Sequence, residues 1–205
     1  MRRALVFGAR RSYARTLAFV ADRDELGEVL NRRGLVGTGA EVGVREGEFS
    51  EQILRRWNGR LLLSIDSWSA TDDSEVSQAD HDAMFERTRQ RLAPFGPRSE
   101  IRRRESRAAA AEIPVRSLDF VYIDAAHEHE SVAADLAAWL DRVRPGGLLC
   151  GHDYYDGFRF GHLYGVRRAV DELCQRRGLR LAVTRLDHPE ASWFAWAGPT
   201  ERHEG

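Results

Sequence analysis

The sequence predicts an α/β domain with a doubly wound, mostly parallel, seven-stranded sheet, and three observations carry that prediction. From residue 38 to the C-terminus, short apolar runs alternate with amphipathic stretches, the pattern of strands joined by crossover helices. The runs Arg60 to Asp66 and Ser117 to Asp124 are rich in apolar residues almost throughout, as strands covered on both faces are. Both end in aspartate, and in such sheets ligands bind outside the carboxyl ends of the strands.

At 205 residues the chain is long enough for one self-sufficient core, so residues 1–205 are expected to form a single domain: a helical N-terminal segment over 1–35 and a core over 36–197. Hydrophobic residues make up 42% and charged residues 31%, and no apolar run approaches the roughly 18 residues of a membrane helix. The basic, then briefly apolar start is too short for a signal peptide, so a cytoplasmic protein without membrane partners is expected. All 31 basic residues are arginine. Lysine chemistry, whether a Schiff base or a phosphate-loop lysine, is therefore excluded. A formal net charge of −1 offers no field for nucleic acid, and the arginine cluster 98–107 reads as a solvated strand edge. Cys150 and Cys174 have no paired spacing, which argues against a disulfide framework or a zinc ribbon.

Taken in order, residues 12–35 read as helical, with Leu17, Phe19, Val20, Leu26, Val29 and Leu30 at helical spacing before Gly34. This segment is expected over or beside the ligand site. Strand one is expected over Glu41 to Val44, a helix from Phe49 to Trp57, and strand two over Arg60 to Asp66. A polar stretch then leads into a helix with Met84, Phe85, Thr88 and Leu92 on one face, a weak strand at Glu100 to Arg104 and a short helix at Ala108 to Ala111. After the strong strand Ser117 to Asp124, Val132, Leu136, Trp139, Leu140 and Val143 predict a helix that stops at Pro145-Gly146-Gly147. A strand at Leu148 to Cys150, a helix from Gly165 to Gly178 and strands over Leu179 to Leu186 and Ser192 to Ala197 complete the chain.

Two constellations stand at the predicted strand ends. The first is the turn after strand one, where Gly43 and Gly47 allow close backbone approach or positive φ while Glu41, Glu46 and Glu48 surround them. Pyrophosphate is repelled by such a loop, whereas a cationic ligand is favoured. Asp66, about 20 residues on, either accepts ribose hydroxyl hydrogen bonds or caps the next helix, and Trp68 either covers an adenine face or joins the core. The second constellation is Asp124, His127, His152 and Asp153. Neighbouring carboxylates repel unless a cation or a shared proton separates them, and magnesium suits such oxygen ligands. The run His127-Glu-His-Glu130 does not make a zinc site without a third spaced ligand; His129 and Glu130 are expected in the first turn of a solvated helix.

The ordered series Glu-Val-Gly-Val-Arg-Glu-Gly-Glu-Phe-Ser, Ser-Ile-Asp-Ser-Trp, Asp-Phe-Val-Tyr-Ile-Asp-Ala-Ala-His and Arg-Pro-Gly-Gly-Leu-Leu-Cys-Gly-His-Asp-Tyr resembles the class I S-adenosylmethionine-dependent methyltransferases. It is most similar to the small branch of sugar and macrolide O-methyltransferases, over residues 36–197. The resemblance implies a Rossmann-like methyltransferase fold and S-adenosylmethionine as cofactor. It places Glu41, Gly43 and Gly47 around the methionine moiety, Asp66 at the ribose, and Glu105 with Ser106 at the adenine, with Ser50, Ser67, Trp68 and Asp124 as further cofactor-binding candidates. It further implies magnesium held by Asp124, His152 and Asp153, although His152-Asp153 stands where an acidic pair is expected. Transfer to a hydroxyl needs a base, a role open to His127 or His152. The aromatic segment 154–164 offers Tyr154, Arg159, His162 and Tyr164 to an acceptor or to a dimer contact. The expected acceptor is a small sugar or short oligosaccharide such as a methylmannoside, with a homodimer as the assembly. A metal-free phenol methyltransferase and a non-catalytic nucleoside-binding subunit are the alternatives.

Overall fold

The computed structural model describes residues 22–70, 76–159, 161–187 and 190–196. A short 3-10 turn, Arg23–Glu25, leads into helix α1, Leu26–Arg32. Strand β1, Thr38–Val42, is followed by α2, Glu48–Arg56, then β2, Leu61–Asp66, and α3, Gln78–Leu92. A second 3-10 segment, Ala93–Arg98, precedes β3, Ser99–Arg103, and α4, Ser106–Glu112. Next come β4, Leu118–Ile123, α5, His129–Leu140, and β5, Val143–Gly151. The hairpin strands β6, Asp156–Arg159, and β7, His162–Gly165, lead to α6, Val166–Arg177, and to the final strands β8, Arg180–Val183, and β9, Trp193–Trp196.

Seven strands form one sheet in the order β3-β2-β1-β4-β5-β9-β8, parallel up to β5, with β9 antiparallel to both β5 and β8. The order reverses between β1 and β4, so the crevice at their carboxyl ends is the switch point where ligands bind. Alternation along β4 divides the core. Phe120 and Tyr122 pack with α1 and α2 through Leu26, Leu30, Ile53 and Trp57, whereas Val121 and Ile123 pack with α5 and α6 through Leu136, Trp139 and Val170. At the β1–β4 contact, a Cβ on Gly39 would lie 1.9 Å from the Phe120 ring, so only glycine fits. The expected strand edge is real: β3 is the border strand, and Arg102 and Arg103 reach Glu100 and Asp82. Among the described residues no helix is long and apolar enough to cross a membrane.

Several boundaries differ from expectation. Of the helix expected over 12–35, Leu17, Phe19 and Val20 lie outside the described residues, and the described part is the turn plus α1. Strand β1 starts at Thr38 and ends at Val42, because from Gly43 the backbone turns over with φ near +89°. Helix α5 ends at Leu140, not at the Pro-Gly-Gly. Arg116 and Ser117 donate to the carbonyls of Asp141 and Arg142, which starts pairing early, and Arg144 to Gly147 are absorbed as an irregularity between the Leu118–Val143 and Phe120–Leu148 pairs. The segment expected as an aromatic loop contains the β6–β7 hairpin, whose cross-strand pairs include Gly157–Tyr164 and Arg159–His162.

Candidate active site

The turn after β1 is built by its backbone. Gly43 donates to the Ile65 carbonyl at 2.9 Å, and an added Cβ would stand 2.0 Å from the Asp124 carbonyl oxygen, so the turn closes on β4 only with glycine. Gly47 also takes positive φ, near +77°, immediately before α2. Asp66 is the anchor of this loop: its Oδ2 accepts from the amides of Val44 at 2.8 Å and Arg45 at 2.9 Å, and its Oδ1 from Trp68 at 3.0 Å. Trp68 belongs to the interior: it is 1% exposed, leans on Phe85 at 4.9 Å and donates its indole N–H to the Arg45 carbonyl at 2.8 Å. Ser67 stands beside it, half-buried.

Glu41 is the buried acid of the site, 2% exposed. Burial pushes its carboxyl up to about 8, with Asp124 and Asp66 adding repulsion against the hydrogen bond of Ser50 and the charge of Arg23. Ser50 is wholly enclosed, and its hydroxyl donates to Glu41 and lies 2.8 Å from that of Ser64, so it positions the acid from behind. Glu105 caps α4 by accepting from the Ala108 amide at 2.8 Å, and the Ser106 hydroxyl accepts from the Trp139 indole at 2.9 Å.

At the ends of β4 and β5 the second constellation converges. Ligand atoms of Asp124, His152 and Asp153 all lie within 4.8 Å of one another. Asp153 is held with φ near +53°, an unusual backbone for a non-glycine residue, and its carboxylate faces two imidazoles. Oδ2 is 2.9 Å from His127 Nε2, and Oδ1 is 3.1 Å from His152 Nδ1. Burial works against the Asp153 charge, but the hydrogen bonds of both histidines hold its carboxyl far below the usual range. Burial likewise opposes a charged His127, yet the bond to Asp153 and the charges of Asp153 and Asp124 outweigh it and raise its basicity. Asp124 is raised by burial and by Asp153, with His152 and Arg23 opposing. The donor set fits a divalent cation: two hard carboxylates and one imidazole, where a site of oxygen ligands alone would be the closest match to magnesium. His129, in the first turn of α5, pairs with Glu172 at 3.1 Å.

The hairpin closes on the same site. The Tyr164 ring stacks on His127 with centroids 4.5 Å apart, and the Gly165 amide donates to the His127 carbonyl at 2.8 Å. Arg159 and His162 share the Tyr164 side of the hairpin through the pairing register, and Arg159 is paired with Glu190. Tyr154 is turned the other way, its hydroxyl donating to Asp171 at 2.5 Å. Sequence reasoning missed Arg23, whose guanidinium lies 3.7 Å from Asp124 and 5.0 Å from the centre of the Phe49 ring; nothing in its local sequence marks it.

Comparison with known proteins agrees with this fold. Residues 40–154 match a family model described as a methyltransferase domain. The fold is similar to an O-methyltransferase from Bacillus cereus solved with SAH, at TM-score 0.64 and 16% identity over 85% of this chain and 79% of that one. It is similar to TomG, an O-methyltransferase of tomaymycin synthesis from Streptomyces achromogenes solved with SAM, at TM-score 0.64 and 20% identity over 89% and 82%. Spermidine synthase from Thermotoga maritima shares the fold as well, at TM-score 0.59 and 15% identity over 86% and 61%, so the fold by itself does not select the reaction. No protein of curated function matches the sequence. With more than half of its length matched, from within β1 to just past the paired histidine and aspartate after β5, this chain belongs to the methyltransferase domain family.

Proposed function

We propose that this protein is an S-adenosylmethionine-dependent O-methyltransferase acting on a hydroxyl of a small polar acceptor. The observation that carries the reading is the Asp153 carboxylate between His127 and His152, one strand away from Asp124 at the switch point of the sheet. When bound, S-adenosylmethionine supplies the methyl group and a thioether leaving group, and a divalent cation supplies charge to lower the acceptor's pKa. Asp66 and Asp124, beside the glycine turn, give the negative rim that suits an onium donor, and Asp124, His152 and Asp153 form the metal-binding set. His127, made more basic by Asp153 and oriented by its stack on Tyr164, takes the hydroxyl proton as the oxygen–carbon bond forms and the carbon–sulfur bond breaks. Arg159 and His162 line the hairpin face beside Tyr164 and support a polar acceptor, for which a sugar such as a methylmannoside is the proposed class.

A second reading, metal-free transfer to a phenol, is favoured by one observation: both oxygens of Asp153 already face imidazoles, as in an aspartate–histidine pair that needs no cation. Incubation with S-adenosylmethionine and panels of sugars and phenols, read by the mass of the methylated product, tests both. Loss of turnover with a chelator and its return with a divalent cation supports the first reading. Chelator-insensitive methylation of phenols supports the second, and absence of S-adenosylmethionine binding by calorimetry refutes both.

A further inference from the structure

We propose that Arg23 receives the α-carboxylate of the donor's amino-acid end. The inference rests on the reading of the site as an S-adenosylmethionine site. That molecule brings two positive groups, the ammonium and the sulfonium, and one negative carboxylate. Asp66 and Asp124 suit the positive groups and repel the carboxylate, which therefore needs a cation at the rim. Arg23 supplies one from outside the motif-bearing strands. Its Nη1 is 3.7 Å from Asp124 Oδ2, and its guanidinium lies 5.0 Å from the centre of the Phe49 ring, on the second residue of α2. Phe49 in turn packs on Tyr122 at 4.4 Å, beneath the end of β4.

The backbone behind this side chain is anchored at a distance in sequence. The Arg23 amide donates to Asp187 Oδ1 at 2.9 Å, while Asp187 Oδ2 accepts from the Thr184 hydroxyl at 2.8 Å and the Ser192 amide at 3.2 Å. Asp22 caps the turn by accepting from the Asp24 amide at 2.9 Å. The connection between β8 and β9 thus holds the 3-10 turn against the site, and the guanidinium arrives half-buried. A planar guanidinium carries five N–H donors, more than its contacts with Asp124 and the Tyr122 hydroxyl use, so donors are left for a carboxylate.

Calorimetry on the full chain with S-adenosylhomocysteine and with its decarboxylated counterpart tests the assignment. Removing the carboxylate makes the ligand more positive, which an acidic rim alone would favour. The wild-type protein is nevertheless expected to bind S-adenosylhomocysteine at least about tenfold more tightly. Arg23→Gln is expected to lose that preference while its affinity for the decarboxylated compound stays within about twofold of wild type. Equal binding of the two compounds by the wild type, or an equal loss for both in Arg23→Gln, overturns the clamp and leaves Arg23 a structural ion pair. Where Arg23→Gln melts too early to titrate, the wild-type comparison and Arg23→Lys, expected to keep a reduced preference, decide. Failure of the wild type to bind either compound overturns the S-adenosylmethionine reading itself and the clamp with it.

Discussion

The Asp153 carboxylate lies 2.9 Å from His127 Nε2, and the imidazole is clamped from its face by Tyr164. A carboxylate on one ring nitrogen fixes orientation and basicity together, which a proton acceptor at neutral pH requires. His127→Ala is expected to lower kcat by about 100-fold or more while leaving cofactor affinity nearly unchanged. His152→Ala is expected to cost less in kcat under saturating divalent cation, with its main effect on cation binding. Steady-state kinetics on both variants decides the assignment, and an unchanged rate in His127→Ala moves the base to His152.

Glu41 makes the stability of the ligand-free protein depend on pH. Its folded value, about 8, lies above the 4.5 of an ordinary glutamate because it is buried. The native state therefore keeps a proton that the unfolded chain gives up, and stability falls as pH rises from about 4.5 to about 8. The melting temperature is expected to decline across that window, and Glu41→Gln, which cannot ionise, is expected to flatten this part of the profile. Thermal scans of both proteins at several pH values measure the difference.

Asp66 supports the glycine turn before it supports any ligand, since it accepts from three backbone amides. Asp66→Ala strands those donors and is expected to cost about 2 kcal/mol in urea unfolding and to weaken nucleoside binding at the same time. Asp66→Asn retains one acceptor oxygen and is expected to fall between the two.

Gly43 and Gly34 both have positive φ, near +89° and +68°, but only Gly43 faces an obstacle. Gly43→Ala adds collision with the Asp124 carbonyl to backbone strain and is expected to lose about 3 kcal/mol or more. Gly34→Ala, with open space around its Cβ, is expected to lose about 1 kcal/mol. Chemical denaturation of the pair separates strain from contact.

Much of the site was legible because its residues stand at or just past strand ends: Glu41 one residue before the end of β1, Asp66 closing β2, Asp124 just after β4 and His152-Asp153 just after β5. The hairpin was not, since Phe158 and Leu163 pair across it yet stay exposed, which removes the alternation that marks a half-buried strand. Ser50 and Ser106 carry no local sign of what they bind, because Glu41 and Trp139 reach them through packing.

The order of apolar runs, the glycines and the acids at strand ends determined the fold class and the rim of the crevice, because period and turn chemistry are local properties of the chain. Only the tertiary structure decided that Trp68 is interior, that Asp153 serves two histidines and that Arg23 reaches Asp124 across the sequence. Those are facts of side-chain packing between distant segments, and a one-dimensional pattern carries no information about which neighbours a burial brings together.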